Sequence, residues 1–472
     1  MAGAPTLGTA ALPLRVAIIG AGPTGYYAAD ALLRQEGVVV EVDLFDRLPT
    51  PYGLVRLGVA PDHQKIKSVT AVFDKVAMNP RFRFFGHVEL GKDVGVDDLR
   101  RHYHQILYCT GAQTDRRMGI PGEDLRGSYP ATEFVAWYNG HPDFRDCQFD
   151  LSKERVAVVG VGNVAVDVAR ILCRSPAELA TTDIADYALD ALRESRVREV
   201  YLLGRRGPAQ AAFTNPEIKE LGELADADLV VRADEVELDE ASRTAVERSR
   251  DRATTKKVEI LQGYARQTPT GKPRRLNVRF LVSPLKLIGD ETGQVVAMRL
   301  AKNRLVATPT GTLQAQTTGE VEELPVGLVF RSVGYRGVPL PGVPFNESWG
   351  VILNEKGRVL DPETRRPILG EYTAGWIKRG PSGVIGTNKP DAAETVACMM
   401  EDHAQGTALL PEQPDSASVE ALLRQRQVRY FSYDDWRRLD ALEIAAGRPG
   451  NRPRVKFTRV DEMAAALGRR PE

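Results

Sequence analysis

Short apolar runs that break at glycine recur along this chain, and apolar positions at helical spacing lie between them. Residues 15–19 predict a buried strand, 26–34 a helix and 38–45 a second strand. Residues 155–159 repeat the pattern. A helix to Cys173 follows, then an insertion of helical character over 174–197, then a strand at 200–203. Further strand-and-turn units stand at 106–111, 328–334 and 372–375, and the last leads into a helix over 389–402. A helix at 68–78 precedes a strand at 81–85, and Pro216 opens a helix with Glu217 in its first turn. Between 258 and 306, alternation interrupted by Gly and Pro predicts a small antiparallel sheet. Helices are expected at 422–431 and 461–467. Strands and helices alternating around glycine turns predict an α/β fold built on parallel sheets.

Two of the turns carry chemistry. Gly20-Ala21-Gly22-Pro23-Thr24-Gly25 is a complete Gly-x-Gly-x-x-Gly sequence between a strand and a helix. The first glycine makes the bend, and the second lets a pyrophosphate reach the backbone at the helix N-terminus. Asp46 closes the next strand, 21 residues after Gly25, in place to accept hydrogen bonds from ribose hydroxyls. Gly160-Val161-Gly162-Asn163-Val164-Ala165 is the second turn. Its following strand ends in Gly204-Arg205-Arg206. An acid there would bind the ribose of NAD, whereas two arginines suit a 2′-phosphate. A nicotinamide site near mid-chain implies an electron acceptor elsewhere in the protein. The loop over 48–63, with three prolines, reads as a wall against a flat ring. The glycine-rich loop from Trp376 through Gly383, Val384 and Ile385 reads as backbone held close to a ligand.

Composition narrows this picture. A chain of 472 residues suggests about two or three domains. Lys plus Arg and Asp plus Glu both number 63, so net charge gives no sign of nucleic acid. Four cysteines without a Cys-x-x-Cys pair exclude a redox disulfide motif and a zinc ribbon, and the scattered histidines suggest no metal site. Residues 1–13 lack a basic start and are expected to be a disordered leader. No apolar stretch spans a bilayer, and a soluble, cytoplasmic, monomeric protein is expected.

Five blocks carry a closer likeness. They are 22–29, 51–63, 162–170, 204–208 and 374–381, beginning Gly22-Pro23-Thr24-Gly25, Pro51-Tyr52-Gly53, Gly162-Asn163-Val164-Ala165, Gly204-Arg205-Arg206 and Ala374-Gly375-Trp376. In that order they closely resemble adrenodoxin reductase and its bacterial relatives, the NADPH–ferredoxin reductases. The resemblance runs from Leu14 to about His403. It implies two Rossmann-like three-layer domains, the NADP domain (115–329) inserted into an FAD domain formed by 14–114 and 330–472. It implies FAD contacts at Gly20, Ala21, Gly22, Pro23, Gly25, Asp46, Leu54, Val88, Trp376, Gly383, Val384 and Ile385. It implies NADP(H) on Gly162, Asn163, Val164 and Ala165, its 2′-phosphate on Arg205 and Arg206, and its nicotinamide near Glu217 and Gly383. Asp46 departs from the pattern, since a longer Glu is usual there. His63 and Glu217 are expected to meet near the rings and to tune proton traffic.

The activity implied is transfer of electrons from NADPH through FAD to a ferredoxin-type iron–sulfur protein. A flavin disulfide reductase would need a cysteine pair. An electron-feeding subunit of the glutamate synthase type would need cysteine clusters, and the chain has neither. A nicotinamide-binding sensor without turnover is a third reading. Between Arg243 and Arg279 stand eleven basic residues against three acids. Arg248, Arg250 and Arg252 are therefore candidates for docking an acidic partner.

Overall fold

Each glycine turn has its own parallel sheet. The computed structural model describes residues 6–309 and 311–469. In the outer, seven-stranded sheet Leu14–Ile19 is central, flanked in parallel by Val40–Asp46 and Gln105–Tyr108. Phe82–Gly86 and Pro367–Thr373 extend the two sides in parallel, and Arg358–Leu360 and Asn354–Glu355 finish one edge antiparallel. All six residues of the central strand are buried, as a strand covered on both faces requires. Val16 and Ile18 pack toward the helices Pro23–Leu33 and Asn388–Ala404. Ala17 and Ile19 pack the opposite way, against Leu99 and Leu423.

Six parallel strands form the inner sheet, in the order Ser128–Pro130, Leu328–Arg331, Arg155–Val159, Glu199–Leu203, Arg274–Arg279, Ala227–Val231. Helices cover the face carrying Val156 and Val158. The face carrying Ala157 and Val159 is covered by the antiparallel strands Val282–Gly289, Val295–Ala307 and Leu313–Pro325. That sheet is therefore the third layer of the inserted domain. The chain crosses between domains through a two-stranded ribbon, Thr114–Asp115 against Tyr335–Arg336.

Four expectations change. Residues 252–265 are a helix, not the start of a sheet: Asp251 caps it through Ala253 N and Thr254 N, and Val258 and Leu261 are buried at helical spacing. The outer domain does not resume at 330, because the strand Leu328–Arg331 pairs with Arg155–Val159 of the inner sheet. The described part of the leader, from Thr6 onward, is ordered. Gly8 O accepts from Val39 N at 2.7 Å, and Thr9 bridges Leu12; residues 1–5 lie outside the described residues. Beyond the resembling part, the helices are Ser416–Gln425, Tyr433–Gly447 and Val460–Ala466. Residues 426–431 are not helical, for Gln427 takes φ +58° and Phe431 bridges Gly86.

This last part of the chain joins the two domains. Lys456, buried, donates to Asn139 O and Arg56 O at 3.1 Å and stands 3.2 Å from Asp183. Lys67 of the outer domain meets the same Asp183 at 2.7 Å. Arg452 reaches Thr182 O and Asp186. No helix among the described residues is long and apolar enough to cross a membrane.

Candidate functional site

The two glycine turns are built alike. Gly20 has φ +110°, and a Cβ there would lie 2.6 Å from Cys109 O. Gly160 has φ +133°, and a Cβ there would lie 2.1 Å from Ser332 O. Both positions therefore exclude side chains on two grounds. Gly22 and Gly162 N-cap the helices Pro23–Leu33 and Asn163–Cys173, and a Cβ on either would meet nothing within 4 Å. Each turn thus presents an open helix N-terminus, with unpaired N–H groups and positive dipole, which suits a pyrophosphate. Gly25 serves packing instead, since its Cβ would fall 2.2 Å from Gly20 O.

A cavity of about 780 Å³ runs from the first turn to the seam between the domains. Gly20, Gly22, Pro23, Asp46, Leu54, Val88 and Trp376 line it, and so does Val164 of the second turn. Ala21 is buried behind the lining and donates its N–H to Asp46 Oδ2 at 2.7 Å. The other oxygen of Asp46 accepts from Leu48 N at 2.9 Å. Burial pushes the Asp46 carboxyl up, against the pull of these two bonds. Each oxygen keeps a further lone pair for a ligand. Gly53 presses the loop onto the turn, its missing Cβ only 2.9 Å from Gly22 Cα. Trp376 stacks on Tyr335 at 6.0 Å. Gly383 and Val384 are exposed and Ile385 half-buried, and none of the three lines the cavity. Sequence reading missed Tyr335, Val338, Asn388 and the turn Thr110–Gly111 as lining residues. The strand-and-turn pattern at 106–111 was the available signal.

At the seam lies a dense charged cluster. His63 Nε2 pairs with Glu220 Oε2 at 2.8 Å, and its Nδ1 stands 3.8 Å from Asp167. Ligand atoms of His63, Glu217 and Glu220 all fall within 4.8 Å of one another, so His63 and Glu217 do meet. The direct partner of His63, however, is Glu220, one helical turn beyond Glu217. The i, i+3 spacing from Glu217 was the sequence signal for it. Arg170, with no exposed side-chain surface, is the central cation. It holds Asp62 at 2.8 and 3.0 Å, Asp167 at 2.7 Å, Glu220 at 3.3 Å and Glu217 at 3.4 Å. Burial, then Asp167, pushes the Glu217 carboxyl up to about 7, while His63 and Arg170 act the other way. Burial alone would raise Asp62, but its hydrogen bond to Arg170 and the charges of Arg170 and Arg174 hold it well below the carboxylate range.

Asn163 Oδ1 accepts from Thr214 N at 3.0 Å and so fixes the second turn. Arg205 is exposed and Arg206 half-buried. Burial, then Arg205, pushes Arg206 down, and no carboxylate of the described residues pairs with either. Two adjacent guanidiniums without a carboxylate partner among the described residues suit a dianion. Arg248, Arg250 and Arg252 are exposed around the junction of two helices, also without ion pairs among the described residues.

The sequence profile of the pyridine nucleotide-disulphide oxidoreductases matches residues 14–260. The NADPH-ferredoxin reductase FprA of Mycobacterium tuberculosis is 45% identical over 462 residues, covering 96% of this chain and 98% of that protein. The mitochondrial NADPH:adrenodoxin oxidoreductase of Arabidopsis thaliana is 41% identical over 465 residues, covering 96% and 95%. The solved structure of Mycobacterium tuberculosis FprA in complex with NADPH superposes with a TM-score of 0.91 at 44% identity, covering 97% of this chain and all of that one. The chain belongs to the pyridine nucleotide-disulphide oxidoreductases and, within them, to the NADPH–ferredoxin and adrenodoxin reductases.

Proposed function

We propose that this protein is an FAD-dependent oxidoreductase that takes electrons from NADPH and delivers them to a ferredoxin-type iron–sulfur protein. The observation that carries the reading is one cavity lined by both turns, through Gly22 and Val164, with an open helix N-terminus at each. The donor set fits FAD along the outer turn. Gly22 offers open backbone, Asp46 offers lone pairs, and Leu54, Val88 and Trp376 offer apolar walls. Gly383, Val384 and Ile385 are assigned to the rim. NADP(H) belongs on Gly162, Asn163, Val164 and Ala165, with Arg205 and Arg206 on the 2′-phosphate. Bound FAD supplies the step from two-electron hydride acceptance to one-electron release. The chain's own residues orient both nucleotides, exclude water with the 48–63 loop, and hold protons at His63 and Glu217. Glu220 keeps His63 in a fixed orientation for that exchange. Arg248, Arg250 and Arg252 form the face for an acidic iron–sulfur partner, where charge sets encounter more than affinity.

The four cysteines are free, two of them buried and two half-buried, and no two stand in a Cys-x-x-Cys pair. Reconstitution tests the reading: purified protein should be yellow and release flavin on denaturation. With NADPH and a candidate ferredoxin it should reduce cytochrome c. Flavin-loaded protein that passes electrons from NADPH to neither ferredoxin nor a dye overturns it.

A further inference from the structure

The loop carrying Arg205 and Arg206 is held in place from the antiparallel layer. Gly204 O accepts from Val282 N at 3.0 Å, and Arg206 O from Leu281 N at 3.2 Å. Between them, Arg205 O accepts from a side chain, the Nδ2 of Asn303, at 2.9 Å. A backbone carbonyl only accepts, so the amide nitrogen must face it. The same NH₂ group donates its other hydrogen to Ser283 Oγ at 2.7 Å. Asn303 is 8% exposed, and it follows the β-bulge at which pairing slips between Ala301 and Asn303. A bulge bends a strand and re-aims its side chains. The Asn303 N–H also donates to Leu281 O at 2.7 Å. Leu281 holds φ +56°, in the left-handed region that a leucine rarely adopts. One buried asparagine thus ties together three segments around the two unpaired guanidiniums.

We infer that Asn303 is a positioning residue for coenzyme selection, fixing the Arg205 carbonyl so that both guanidiniums stand where a 2′-phosphate is received. The inference rests on the assignment of Arg205 and Arg206 to that phosphate. Loss of one buried hydrogen bond should cost about tenfold in the equilibrium it supports. The functional loss should fall on nucleotides bearing a 2′-phosphate and spare those without one.

The test uses the flavin-loaded full chain with Asn303→Ala, Asn303→Asp and Ser283→Ala, beside Arg205→Ala and Arg206→Ala. Two readouts are taken: KM and kcat with NADPH and NADH, and calorimetric binding of 2′,5′-ADP against 5′-AMP. Asn303→Ala should raise KM for NADPH about tenfold with kcat retained, and weaken 2′,5′-ADP but not 5′-AMP. Asn303→Asp should do more, since a carboxylate cannot donate to Arg205 O and repels the phosphate. Ser283→Ala should give a smaller loss of the same kind, and it carries the test if the Asn303 variants fail to fold. Equal losses with both coenzymes, or unchanged 2′,5′-ADP binding, overturn the inference. If the arginine variants lose NADPH selectivity while the Asn303 and Ser283 variants keep it, Asn303 is not a positioning residue and the coenzyme assignment stands. If the arginine variants keep selectivity, that assignment fails and the inference with it.

Discussion

Arg170→Met removes the one fully buried cation of the interdomain cluster and leaves its four acids. Arg174 still holds Asp62 at 2.7 Å, and His63 still holds Glu220 at 2.8 Å. Asp167 keeps only His63 at 3.8 Å, and Glu217 loses its guanidinium. Removing one partner of a buried pair costs about 3–5 kcal/mol. That cost depends on pH, because the stranded carboxyls can take protons. Burial already holds the Asp167 carboxyl above its ordinary value and Glu217 at about 7, and the variant raises both further. An acid whose folded pKa is raised keeps its proton in the folded state after the unfolded chain has lost it. Stability therefore falls as pH rises from the unfolded value toward the folded one, by about 1.4 kcal/mol per pH unit for each proton. Arg170→Met should be nearly neutral at pH 5 and lose about 3–5 kcal/mol at pH 8. For a domain of ordinary size that is a Tm drop of roughly 6–20 °C. Thermal unfolding of the flavin-loaded protein and the variant, scanned across this range, measures it. An equal penalty at pH 5 and pH 8 would refute the electrostatic account and leave only lost packing.

Glu217→Gln should flatten the wild-type decline in Tm between about pH 5 and 8, because Glu217 is held up at about 7; an unchanged slope argues against it. Asp183 is desolvated, yet Lys456 and Lys67 hold it down at about 2. The stability it supplies is present above its unfolded value and lost as pH falls toward 2. Asp183→Asn should therefore destabilise at neutral pH by about 3–5 kcal/mol and show less further loss in acid; acid titration followed by circular dichroism decides. Gly22→Ala should fold but purify nearly free of flavin, since its Cβ enters only open space, whereas Gly25→Ala should fail to fold. Flavin-to-protein absorbance and circular dichroism separate the two. Reversing Arg248, Arg250 and Arg252 to Glu should raise the apparent KM for ferredoxin and flatten its salt dependence while NADPH-to-dye activity persists; unchanged ferredoxin kinetics would reject the docking face.

Local chemistry made much of this legible. Gly20, Gly22, Asp46 and Gly162 act through their own backbone and near neighbours, so spacing in the chain locates them. What stayed hidden depends on partners far away in sequence. Leu261 lies in a stretch with strand-like breaks, and its packing into the core of the inner domain shows a helix. Phe330 reads as a strand residue either way, but its register with Val158 assigns it to the inner domain. Glu217 was visible as a first-turn acid, whereas Glu220 became the partner of His63 because two domains close on each other. Arg170, Asp62 and Lys456 gain their meaning from contacts spanning more than a hundred residues. No periodicity encodes those.

A chain with 63 charges of each sign has no net charge, so its electrostatics lie in local clusters. The second turn has opposite surroundings at its two ends. Toward the seam, Asp62, Asp167, Glu217 and Glu220 are balanced by Arg170 and Arg174, with His63 among them. Toward Gly204, Arg205 and Arg206 have no carboxylate partner among the described residues. A nucleotide with a phosphate at one end and an uncharged or cationic ring at the other has one favourable orientation in that field. On the proposed assignment the phosphate end meets Arg205 and Arg206, and a reversed molecule would bring it to the acidic cluster. Like charges brought together in this way cost several kcal/mol. On that assignment the acids proposed to hold protons would also disfavour the reversed orientation.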